Sequence, residues 1–128
     1  MAKIAAMMSY SGKFRDQEFL NEAGWAALNS ESVKATMGIG RTSFTQGGVA
    51  HFTSGEANSS KLDKAFNSGR EGFYGWMGLG SSILQCHPAN RTGFGYVPTS
   101  LNIADILNER GKAYQAEVLR CVARLKTH

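Results

Sequence analysis

Apolar positions recur at helical spacing near both ends of this chain and at strand spacing between them. Ile4, Met7 and Met8 fall at i, i+3 and i+4, and Gly12 follows as a stop, which predicts a short helix over residues 1–8. No capping residue precedes it, as expected of the last turns of a helix that begins further upstream. Asn21 is a good N-cap, and Glu22 sits where a helix dipole favours it. Trp25, Leu28 and the alanines give an apolar face that should end near Asn29–Ser30. Residues 1–30 thus form a helical lead-in.

The stretch 72–98 carries the clearest pattern. GFYGWMG, SSILQC and GFGYVPTS read as three short strands, with Pro88-Ala89-Asn90 as a turn between the last two. Short connections make this an antiparallel meander. Its glycines at 72, 75, 78, 80, 93 and 95 imply that something lies close against the backbone. Residues 102–125 predict the strongest helix, with Asn102 as N-cap and Asp105 in the first turn. Ile103, Ile106, Leu107, Tyr114, Val118, Cys121, Val122 and Leu125 trace its apolar stripe. Gly111 interrupts that helix at a cost of about 1 kcal/mol. The stretch 31–71 is rich in Gly, Ser and Thr and is expected to be irregular. Short extended pieces are expected at Phe44 and Val49–Phe52, and a helical turn around Leu62–Phe66. So long an irregular stretch is usually functional or packs on something else. The expected fold class is α+β: a three-stranded antiparallel meander packed against a C-terminal helix.

Composition narrows the function classes. The 128 residues are 42% hydrophobic and 19% charged, which suits one domain with a core and argues against disorder. The net charge of +4 comes from scattered Lys and Arg with no basic run of four. A basic stripe with interleaved aromatics is missing, so nucleic acid is not an expected partner. No stretch reaches the roughly 18 apolar residues of a membrane span, and the start is not a secretory signal. Cys86 and Cys121 are too few for a disulfide framework. Two buried thiols in a cytoplasmic or other reducing compartment are the plainer expectation, with one disulfide between them as the other.

Candidate chemistry is sparse. His51, His87 and His128 stand in no metal spacing, and neighbours Cys86 and His87 point to opposite faces of a strand. No G-x-S-x-G, S-x-x-K or G-x-G-x-x-G occurs, so neither an in-chain nucleophile nor a nucleotide loop is expected, and no cofactor or metal. Ser100-Leu101-Asn102 fits S-x-N but is better explained as a helix cap. Arg91-Thr92-Gly93 superficially matches K-T-G but sits in a turn. Asp16 and Glu18 read as a solvated pair in a loop, and Glu109 and Glu117 as a solvated helix face.

The segment YGWMGLGSSILQCHPANRTGFGYVP resembles the C-terminal strands of the serine beta-lactamase-related family, which includes penicillin-binding-protein-like enzymes and esterases. The opening AKIAAMMSYSGKFRDQEFLNEAGWAAL is similar to the segment that precedes those strands, so the resemblance spans nearly the whole chain. It implies the C-terminal part of the beta-lactamase/transpeptidase-like fold, a single partial domain over 1–128. It also implies a parent chemistry of acyl transfer on an ester, amide or lactam. The family's third motif, K-T-G or H-x-G, falls on Trp76-Met77-Gly78, where the Lys or His is lost. By the same resemblance the Leu79 backbone N–H is the oxyanion donor, and Ser81 stands where a glycine is expected. Trp and Met also favour burial, so a packed strand is the plainer expectation for Trp76 and Met77. The S-x-x-K segment and the second motif are absent, which implies no turnover by this chain alone. The expected partner is a missing N-terminal half, or a second copy across an open sheet edge. The alternative is a stand-alone, non-catalytic binding module. A truncated product without function is a weaker third.

Overall fold

The computed structural model describes residues 1–30, 32–37, 40–53, 59–78 and 80–127. Helix α1 (Ala2–Ser9) leads through a left-handed Ser11-Gly12 turn into a small hairpin of β1 (Lys13–Phe14) and β2 (Gln17–Glu18). Asp16 and Glu18 therefore belong to a hairpin, and Glu18 lies 3.9 Å from Lys13 across it. Helix α2 (Glu22–Asn29) starts where Asn21 predicts. The Asn21 side chain accepts a hydrogen bond from the Gly24 N–H at 2.8 Å.

The expected antiparallel meander is present and is the second half of a larger sheet. Six strands run in the order β3 (Ser32–Met37), β4 (Gly40–Thr45), β5 (Ala50–His51), β6 (Tyr74–Met77), β7 (Ile83–His87) and β8 (Thr92–Tyr96), all antiparallel. Each connection is to the next strand in sequence, so β3 and β8 are the outer strands. A 3-10 turn, Pro88–Asn90, joins β7 to β8, as the Pro-Ala-Asn signal predicts.

The stretch 31–71 is corrected by the structure. It is not irregular: the extended pieces expected at Phe44 and Val49–Phe52 are β4 and β5, the turn expected at Leu62–Phe66 is α3 (Lys61–Asn67), and β3 is added. Residues 33–36 of β3 are all exposed, so no apolar alternation marks this strand. Helix α3 is set by a capping box: Ser60 Oγ accepts from the Asp63 N–H at 3.0 Å, and the Asp63 carboxylate accepts from the Ser60 N–H at 3.2 Å.

Two helices cover opposite faces of the sheet. Helix α1 packs on β7 and β8. It can do so because Gly93 and Gly95 present bare backbone to it: a Cβ on Gly93 would lie 2.5 Å from the Ala5 carbonyl carbon and 2.7 Å from the Ala6 Cα. Gly93 and Gly95 pair with Cys86 and Leu84, so those two β7 residues share the α1 face. The other face carries Ile83 and Gln85 and meets α4 (Glu109–Lys126). There lies the core of Ala50, Phe52, Phe66, Phe73, Ile83 and Phe94. Cys86 is wholly buried on the α1 face, whereas Cys121 is exposed on α4, which corrects the expectation of two buried thiols.

The C-terminal helix begins later than its sequence suggests. Residues 101–108 form turns, and α4 starts at Glu109. Asn102 caps only a local turn, its side chain accepting from the Ala104 N–H at 3.2 Å. Ile103 and Ile106, expected in the apolar stripe, are 60% and 48% exposed. Instead α4 lays a polar row against the sheet: Gly111, Lys112 and Gln115 are buried, and Val118 and Leu119 pack at the margin. Gly111 lets the helix come close there: a Cβ would displace the tips of the Ile83 and Asn108 side chains. Its helix-propensity cost is repaid by this close approach.

Candidate functional site

Trp76, Met77 and Gly78, on which the resemblance puts a motif, lie at the end of β6 and just past it and face different surroundings. Tyr74 and Trp76 pair with Cys86 and Leu84, which places them over the α1 face of the sheet. Trp76 is 49% exposed, so it is not the packed strand residue its type suggests. Its indole leans on Phe44, with ring centroids 5.8 Å apart and planes at 45°. Beside it Tyr74 and His51 lie flat on each other, 3.9 Å apart at 7°. Burial lowers the His51 pKa from its usual 6.5, so the imidazole is neutral at pH 7. Burial, with Cys86 nearby, raises the Tyr74 phenol above its usual 10.

Met77 is half-buried, pairs with Ile83 and packs against the core. Its sulfur meets the Arg70 guanidinium. Gly78 closes the strand: its N–H donates to the Ser82 carbonyl at 2.8 Å, and the Ser81 N–H donates to the Gly78 carbonyl at 3.2 Å. Leu79, the oxyanion-donor position of the resemblance, lies outside the described residues. Ser81 has φ 82°, the left-handed backbone that glycine adopts most readily, in keeping with the glycine expected at that place.

A polar clasp ties this turn to α4. The buried Ser81 hydroxyl donates to Asp105 Oδ2 at 2.7 Å. The same carboxylate accepts from the Glu109 N–H at 2.7 Å and the Arg110 N–H at 3.3 Å, and so caps α4 from outside the helix. Partial burial pushes the Asp105 pKa up. The Ser81 hydroxyl, the two N–H groups and the Arg110 charge outweigh that push, and the net value falls below 3.8. So stabilised a carboxylate is a poor general base near neutral pH. Asp105→Ala is expected to cost about 1–2 kcal/mol at pH 7 by urea unfolding, as lost caps do. Because the folded value lies below the unfolded one, the contribution is present above pH 3.8 and lost as pH falls through the folded value. The unfolding curves of the two proteins should converge in strong acid.

Behind the clasp sits a group of buried polar side chains. Arg70, fully buried, donates from Nη2 to the Leu107 carbonyl at 2.6 Å. Its guanidinium lies over the Phe52 and Phe66 rings, 5.1 and 5.6 Å from their centres. Burial lowers its pKa to about 10 against the pull of Glu109, Asp105 and Glu71. Lys112 reaches the Ala65 carbonyl at 2.8 Å and Glu109 at 2.7 Å, and Gln115 donates to Gln85 at 2.6 Å. These residues fix how α4 sits on β6 and β7, and hence where the β6–β7 turn is held.

No described side chains form a nucleophile–base pair at β6. The Cys86 thiol is pushed up to about 12 by burial, which keeps it protonated. His87 stands edge-on to Phe73, and burial lowers its pKa. Among the described residues no group of three His, Cys, Asp or Glu converges as a metal site. No described helix is long and apolar enough to cross a membrane. A separate cleft of about 360 Å³ lies between α1 and the β1–β2 hairpin, lined by Ala6, Tyr10, Lys13, Phe14 and Arg15.

No family model, curated protein or solved structure matches this chain. The functional reading therefore stands on the residues and their geometry. Sequence inspection singled out Trp76, Met77, Gly78 and Ser81, and the fold brings them to one strand end and turn. It missed Phe44, His51 and Tyr74 as neighbours of Trp76, since pairing across β4, β5 and β6 joins residues up to 32 positions apart. It missed Arg70 too, which nothing in its Gly-rich surroundings marks.

Proposed function

We propose that this chain is the C-terminal portion of a beta-lactamase-related serine hydrolase, acting by acyl transfer on esters, amides or lactams. The nucleophilic Ser and its Lys would come from an S-x-x-K segment outside these 128 residues. The observation that carries the reading is the β6–β7–β8 meander with helices on its two faces. It has the third-motif position at the end of β6 and a tight left-handed turn after it. Such a turn suits a backbone N–H donor for an oxyanion, a role that needs no particular side chain. The outer strand β8 also supports it: Thr92–Tyr96 has no charged residue and no proline, and strands of that kind accept a further strand. A missing half of the domain, or a second copy, would pair there. The two free thiols, Cys86 buried and Cys121 exposed, are in keeping with a reducing compartment.

The test is reconstitution. Joined to an upstream segment carrying S-x-x-K, the chain should hydrolyse p-nitrophenyl acetate, and replacing that Ser by Ala should abolish turnover. No hydrolysis by the joined, folded protein would overturn the reading. A second reading, a non-catalytic binding module, is favoured by the half-exposed Trp76 where catalysis would use a cation. It predicts ligand binding by the 128 residues and no turnover after joining.

A further inference from the structure

We propose that the cleft between α1 and the β1–β2 hairpin binds a small aromatic carboxylate, with its ring against Tyr10 and Phe14 and its anionic group held by Arg15 and Lys13. The cleft is separate from the β6–β7 turn, and the proposal does not depend on the acyl-transfer reading.

Three observations carry it. The first is that the two walls are tied together. The Tyr10 and Gly12 N–H groups donate to the Ala6 and Met7 carbonyls at 3.2 and 3.0 Å, and the Lys13 N–H donates to the Tyr10 carbonyl at 3.2 Å. The Phe19 N–H closes the hairpin back onto the Gly12 carbonyl at 2.9 Å. A cleft held in this way loses little entropy when a ligand enters.

The second is its charge. Both charged residues that line the cleft, Lys13 and Arg15, are cations. The hairpin's own carboxylates, Asp16 and Glu18, are not among the lining residues. Glu18 approaches Lys13 only to 3.9 Å, with both side chains more than half exposed. A pair so exposed is worth little, so a ligand carboxylate can take its place. The Arg15 guanidinium makes no hydrogen bond or ion pair with the described residues, which leaves its fork of donors open.

The third is that the rings hold guanidinium groups. Arg15 lies 5.4 Å from the centre of the Phe14 ring, and Arg91 lies 5.9 Å from that of Tyr10. Stacking of this kind fixes the plane of the fork before any anion arrives. Both arginines sit in left-handed backbone, φ 55° and 50°, which glycine adopts more readily. Long cations kept at two such strained positions, each on a ring of the same cleft, point to a use for their side chains.

Size and chemistry together select the ligand. The volume of about 360 Å³ falls at the small end of the range for small-molecule sites, roughly 300–1,000 Å³. One ring or two fused rings fit such a space. A flat ring stacks on Tyr10 or Phe14, and a carboxylate matches the guanidinium fork in a bidentate pair. An aromatic cation would be repelled by Lys13 and Arg15, and a neutral ring would leave the fork unfilled.

The probes are 2-naphthoate, 2-naphthamide and acetate, titrated into the intact chain at about 0.15 M salt and followed by amide chemical shifts. 2-Naphthoate should bind saturably, shift the amides of Tyr10 and Lys13–Arg15, and bind roughly tenfold more tightly than either other probe. Arg15→Gln should bring it level with the amide, and Lys13→Gln should weaken it several-fold. Phe14→Leu should weaken both aromatic probes. Amide shifts outside the hairpin report whether each variant is folded. Equal binding of 2-naphthoate and 2-naphthamide would overturn the proposal. So would acetate binding as tightly as 2-naphthoate, shifts that map elsewhere, or binding that survives both charge substitutions. Failure of the joined protein to hydrolyse an ester would leave this cleft untouched, and failure of 2-naphthoate to bind would leave the acyl-transfer reading untouched.

Discussion

Arg70→Ala should destabilise the protein by about 4 kcal/mol, the sum of a large-to-small core change and the loss of a donor to a half-buried carbonyl. Arg70 is fully buried, with its guanidinium over Phe52 and Phe66 and one N–H on the Leu107 carbonyl. Truncation leaves a void between two core rings and removes the donor that holds the segment before α4. The lowered pKa of about 10 shows that this cation is held at a cost in a dry site, with no carboxylate in direct contact among the described residues. Arg70→Met should therefore be much milder, with a loss of about 2 kcal/mol or less, because it fills most of the volume and removes the buried charge. Urea unfolding of both variants checks the pair. A shift below about 1 kcal/mol for the alanine variant would show that the core does not depend on this residue.

Gly93→Val should detach α1 from the sheet, with a loss of about 3 kcal/mol from overpacking against a rigid neighbour. The clash is with helix backbone at Ala5 and Ala6, which has no rotamer through which to escape. Gly95→Ala makes a useful contrast. Its Cβ would sit 3.1 Å from the Ala2 nitrogen at the start of the helix, where a few tenths of an ångström of movement relieves the contact. Hydrogen exchange across Ala2–Ser9 is the direct readout. Gly93→Val should expose these amides to exchange, and Gly95→Ala should leave most of them protected. Equal protection in both variants would mean that α1 is held by something other than its seat on β8.

Local signals were sufficient where the interaction that forms an element is itself local. Asn21 and its partner Gly24 are three residues apart, so the start of α2 was visible from the chain. The strands β6, β7 and β8 were visible because each pairs with its neighbour in sequence across a short turn, and because apolar residues alternate on them. The α+β class followed from these pieces. The upstream strand β3 was not visible, since residues 33–36 are all exposed, and β4 was read only as a short extended piece at Phe44, since Ser and Thr fill the rest of it. They form because the backbone of β4 pairs with β5, and β5 with β6, a dependence that composition does not carry.

The sequence by itself determined the α+β class, the meander over 72–98, the N-cap of α2 and the lack of an in-chain S-x-x-K. Each of these depends on residues a few positions apart. Only the tertiary structure decided where α4 begins, since its start is fixed by a carboxylate, Asp105, that is itself held by Ser81, 24 residues away. Only the fold, too, placed Arg70 against Met77 of β6, Phe44 against Trp76, and His51 against Tyr74. The physical reason is the same in both cases. Buried charge and ring packing are stabilised by partners distant in sequence, and no local period records which partners the folded chain will bring together.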